Sequence, residues 1–90
     1  MFLALAMATS GLAGQAEYDD CLLEYLKGAK LDAASQLIKQ ACKENYKDPG
    51  FTSDTKLAYN SCLLDNLVGV ESVQAVLDIK SACNRRATSR

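Results

Sequence analysis

Residues 18–46 and 59–87 align across a shift of 41 positions without a gap, and eleven of the twenty-nine positions carry the same residue. The identities are Tyr18/Tyr59, Cys21/Cys62, Leu22/Leu63, Leu23/Leu64, Leu26/Leu67, Gly28/Gly69, Ala34/Ala75, Ile38/Ile79, Lys39/Lys80, Ala41/Ala82 and Cys42/Cys83. Self-similarity at a period of about 40 residues is the mark of small helical arrays, in which one supersecondary unit is used more than once. The chain is therefore read as one structural unit written twice.

Within the first unit, Tyr18, Cys21/Leu22 and Tyr25/Leu26 recur at spacings of three and four, and so do Ala34, Leu37/Ile38 and Ala41/Cys42. That is the helical period, so each unit reads as two helices. Gly28 and Gly69 stand just past the first helix of their units, where a glycine with positive φ ends a helix at little cost. Asp32 and Ser72 are candidate N-caps for the second helices. Between the units, Lys47–Lys56 contains Pro49-Gly50, which cannot continue a helix, followed by Thr52, Ser53 and Asp54, any of which can cap the next one. Helices are predicted at about 17–27, 32–45, 54–68 and 72–86. The fold class is all-α, two tandem antiparallel helical hairpins.

Ninety residues bury too little apolar surface to be stable without a staple or a partner, which makes the four cysteines the next constraint. Pairing Cys21 with Cys42 in an antiparallel hairpin sets Tyr25 opposite Ile38 and Leu26 opposite Leu37, so the register that joins the cysteines also joins the apolar faces. Cys62 with Cys83 repeats this in the second unit. One disulfide per hairpin is the favoured pairing, although four cysteines allow three connectivities and the two that link the hairpins stay open. A four-cysteine zinc site is disfavoured: the chain has no histidine and no closely spaced Cys pair. No low-pKa redox motif of the CxxC kind is present either.

The first sixteen residues carry no charge and run from the apolar stretch Phe2–Ala8 into small residues ending Gly14-Gln15-Ala16. This has the form of a secretory signal peptide with a cut between Ala16 and Glu17, leaving residues 17–90 as a single helical domain. No basic residue precedes Lys27, which would fit a signal whose beginning lies upstream of Met1. The apolar run is too short to span a bilayer. Disulfides persist in oxidising compartments, so the localisation expected is exported, periplasmic or secreted.

The pattern YxxCLLxxLxG followed by AxxxIxxAC resembles a family of small exported bacterial four-cysteine proteins, largely uncharacterised, built on a repeated Cys-containing helical hairpin. The resemblance covers residues 18–87. It implies export and paired cysteines, and it brings no catalytic residues.

Ten basic residues against eleven acidic ones leave a net charge of −1, which supplies no field to draw in nucleic acid. For catalysis the inventory is poor: no histidine, no nucleophile elbow and no phosphate-cradling glycine loop. Asp19, Asp20, Glu24 and Asp65 fall where a solvated helix face accounts for them. The chain is thus read as a non-enzyme with no cofactor and no metal. Tyr18 and Tyr25 share the helix face of Cys21, whereas Tyr46 and Phe51 flank the connector with no such place in a core. They are the candidate partner contacts, because aromatics are over-used at interface hot spots. The function expected is a small exported binding or interaction module with an unknown protein partner. The alternative is a structural or stress-related envelope protein without a dedicated ligand. Lipid binding is less favoured, because no helix face sets Lys or Arg opposite exposed Trp or Phe.

Overall fold

The computed structural model describes residues 13–89. Helix α1, Ala13–Tyr25, tightens into a 3-10 turn at Leu26–Gly28. Helix α2, Asp32–Cys42, widens into a π turn at Lys43–Lys47, and a short 3-10 turn, Pro49–Phe51, leads to α3, Asp54–Asn66, and α4, Val73–Thr88. Among the described residues there is no strand. Residues 1–12 of the expected signal peptide lie outside the described residues, and α1 runs through the expected cut after Ala16.

Disulfides join Cys21 to Cys42 and Cys62 to Cys83, with Cα atoms 5.7 and 5.6 Å apart. These are the within-hairpin pairs, and no free cysteine remains. Facing positions on packed antiparallel helices fall inside the distance window that a disulfide demands, which is why one register serves both the bridge and the apolar face.

The two hairpins are alike in chain path but not in burial. Helix α2 packs on α1, α3 and α4, and its stripe Ala34, Ile38, Ala41 and Cys42 is fully buried. In the second unit it is the first helix, α3, that is enclosed, through Asn60, Leu63 and Leu64, with Leu67 just past its end. Thus α2 and α3 form the inner pair, with α1 and α4 outside. Repeat mates divide accordingly: Leu23 is 71% exposed where Leu64 is 3% exposed, and Ala82 is exposed where Ala41 is buried.

The caps show why the second hairpin starts cleanly. Ser53 and Ser72 each accept a bond from the backbone N–H three residues on, Lys56 and Ala75, satisfying a donor that a helix start leaves free. The expectation for Asp32 is corrected. The cap position of α2 is Leu31, which makes no side-chain bond, and Asp32 is the first helical residue, where its charge meets the positive end of the helix dipole.

The two glycines also part company. Gly69 has φ +84°, while Gly28 does not have positive φ, so the positive φ expected of Gly28 is corrected. What Gly28 provides is close approach: a Cβ there would come 2.6 Å from Val68 Cγ1, and its carbonyl accepts a bond from the Gly69 N–H at 3.0 Å. The turns of the two hairpins therefore lie directly against each other, with Lys30 and Glu71 paired at 3.6 Å beside them. That ion pair is exposed and contributes little. Gly28→Ala is expected to destabilise the protein by about 1 kcal/mol, because the clash is with the terminal methyl of the exposed Val68, and Val68→Ala in the same chain should restore most of the loss. Urea melts of the two single variants and the double variant check this. Additive losses would mean that Gly28 and Val68 do not abut.

Candidate functional site

The connector is the most irregular stretch among the described residues and the place where sequence reading put its candidate contacts. In the π turn the Asp48 N–H reaches back to the Lys43 carbonyl at 2.9 Å, a five-residue span. Consecutive side chains of an α-helix diverge by about 100°, yet here Glu44 and Asn45 meet the same group. The Asn60 carboxamide donates to Glu44 Oε1 and to Asn45 Oδ1, both at 2.9 Å. Asn45 Nδ2 in turn donates to the Leu57 carbonyl and to Ser61 Oγ, and Gln40 Nε2 donates to Glu44 Oε2 at 2.9 Å. Asn60 is the one buried polar side chain in the described core, 2% exposed. Because both of its N–H bonds are used, and among the described residues no buried side-chain nitrogen or oxygen lacks a partner, the network locks the π turn to α3.

Partial burial pushes the Glu44 carboxyl up. The bonds from Gln40 and Asn60, with Lys56 and Lys43 nearby, outweigh it and hold the group below its ordinary 4.5. A carboxyl lowered on folding adds stability that is present above its unfolded pKa and is lost as the pH falls through its folded one. Wild type should therefore melt higher than Glu44→Gln at neutral pH, and the gap should close as the pH drops below about 4.5. Melting curves across an acid series test this. A gap that is constant with pH would show that the charge of Glu44 carries none of the effect.

Tyr46 and Phe51 are not brought together. Phe51, on the Pro49–Phe51 turn, is 95% exposed and borders a depression with Lys39, Lys43 and Asp48. Tyr46, 38% exposed, borders another with Tyr25 and the carboxylates Glu17, Asp20 and Glu24. The turn beneath Phe51 is well tied, since Thr52 Oγ1 donates to the carbonyls of Glu44 and Asp48 at 3.1 and 3.3 Å. Burial raises the phenols of Tyr25 and Tyr59 above their ordinary value, with Asp65, Tyr46 and Glu24 adding to the rise at Tyr25. Repeat-equivalent Tyr18 and Tyr59 each lie under a lysine, Lys47 at 5.4 Å and Lys56 at 5.1 Å from the ring centres. The four carboxylates Asp19, Asp20, Glu24 and Asp65 are exposed on their helices.

Sequence reasoning missed Asn60 and its partners. A signal was present: Asn60 stands three, four and seven positions before Leu63, Leu64 and Leu67, so it lies on the apolar stripe of its helix.

Two helical hairpins, each closed by its own disulfide and joined through a shared inner pair of helices, define a small disulfide-stapled helical repeat protein. The chain belongs to the four-cysteine protein family described as VF_A0006-like, whose model matches residues 1–87. No curated protein and no solved structure matches it.

Proposed function

We propose that this chain is an exported binding module whose connector end, centred on Phe51, seats a partner protein. The observation that carries the reading is Phe51 itself, an aromatic ring 95% exposed on a turn held in place by Thr52 and the π-turn network. Burying such a ring is worth about 1.5–3 kcal/mol. A pre-ordered turn presents it without a further loss of freedom on binding. Export is supported by the two structural disulfides, which belong to oxidising compartments, and by the signal-like residues 1–16.

Affinity capture from the periplasm or medium of producing cells tests the reading, with wild type, Phe51→Ala and, as an exposed control on α4, Leu77→Ala. A discrete, saturable partner held by wild type and Leu77→Ala but lost with Phe51→Ala is the expected result. Capture that ignores Phe51, or no saturable partner at all, would leave the alternative of an envelope protein without a dedicated ligand. N-terminal sequencing of the exported product should begin at Glu17.

A further inference from the structure

The two disulfides occupy repeat-equivalent positions, yet their surroundings carry opposite charge. Cys21 and Cys42 are 5% and 0% exposed, and the depression beside Cys21 is bordered by Glu17, Asp20 and Glu24. Cys62 is only half-buried, and the depression that contains Cys62 and Cys83 is bordered by Arg85 and Arg86. In the repeat alignment those arginines stand where the first unit has Glu44 and Asn45, the residues of the π-turn network. Freed from that role, the end of α4 leaves two cations exposed beside its bridge. The Asn66 carboxamide adds a donor 3.8 Å from Cys62 Sγ.

From this inversion we infer that Cys62–Cys83 is a thiol–disulfide exchange site for small anionic thiols, and that Cys21–Cys42 is closed to them. The thiolate sulfur attacks Sγ of Cys62, the less buried residue of the pair, and forms a bond to it. The Cys62–Cys83 bond breaks with its electron pair leaving on Cys83 Sγ, which takes a proton from water. The product is a mixed disulfide on Cys62 and a free thiol on Cys83, with no net oxidant or reductant beyond the thiol. Arg86, three residues beyond Cys83 and so on the same helix face, favours the thiolate that develops there. Arg85 and Arg86 together raise the local concentration of an anionic attacker, whereas the three carboxylates beside Cys21 repel it.

The test treats the full chain with three thiols of equal length, mercaptoethanesulfonate, mercaptoethanol and cysteamine, at equal thiolate concentration, traps the products by alkylation and maps them by mass spectrometry. The first adduct is expected on Cys62 with Cys83 alkylated and Cys21–Cys42 intact, and the rates should fall in the order sulfonate, alcohol, amine. The variant carrying Arg85→Gln and Arg86→Gln should react roughly fivefold more slowly with the sulfonate, the rate with cysteamine holding or rising. Opening of Cys21–Cys42 as fast as Cys62–Cys83 would overturn the inference. So would a sulfonate-to-amine rate ratio that is the same in wild type and variant.

Discussion

Reduction of both disulfides is expected to unfold the protein at room temperature, with loss of most of its far-ultraviolet helical signal. Each bridge closes a loop with a sequence separation of 21, and restricting the unfolded chain by a loop of that length is worth about 3 kcal/mol in the chain-entropy model. Two such terms together exceed the roughly 3–5 kcal/mol that a core of this size supplies. The bridges are not interchangeable despite their equal loops. Cys21 and Cys42 sit in the core at 5% and 0% exposure, so Cys21→Ala with Cys42→Ala should cost more than Cys62→Ala with Cys83→Ala, where Cys62 is half-buried. Thermal melts of the two paired variants and of the reduced wild type read this order. A reduced protein with an unchanged melting point would mean that helix packing alone sustains the fold.

Ile38→Ala should destabilise the protein by about 2–5 kcal/mol, the range for opening a cavity at a fully buried aliphatic site. The same change at its repeat mate Ile79 should cost less, about 1–2 kcal/mol. Ile38 is 0% exposed on α2, which packs on all three other helices. Ile79, on the outer helix α4, is half-buried and has fewer neighbours to lose. Urea unfolding gives both numbers. Equal losses at the two sites would contradict the division into inner and outer helices, since the two residues share repeat position and chemistry.

That division is also where sequence reasoning stopped. Helix count, hairpin pairing and the connection of the cysteines were legible because they follow from local periodicity and from a register that serves cysteines and apolar residues at once. Leu23 and Leu64, in contrast, follow the same Cys-Leu and precede similar residues. Which of them is buried depends on how the hairpins meet, and nothing in a unit's own pattern encodes that. Gly28 failed for the same reason. Its backbone is held by no conformational demand that a turn rule would detect, but by Val68 of the other hairpin. The π turn was read as the tail of a regular helix through residue 45, because the partner that widens it, Asn60, lies fifteen residues along the chain from Asn45. Phe51 was legible as an exposed connector aromatic since no periodic stripe includes it. That it and Tyr46 border separate depressions was not, for that depends on how the π turn is wound.

The disulfide map of the unreduced protein tests the self-stapled hairpin most directly. Trypsin cuts after Lys27, Lys39, Lys43, Lys56, Lys80 and Arg85, so the four cysteines fall on four different peptides. The account predicts two linked species by mass spectrometry: the peptide ending at Lys27 joined to residues 40–43, and residues 57–80 joined to residues 81–85. Residues 40–43 joined instead to 57–80 or to 81–85 would place the bridges between hairpins, and the repeated unit would then not close on itself.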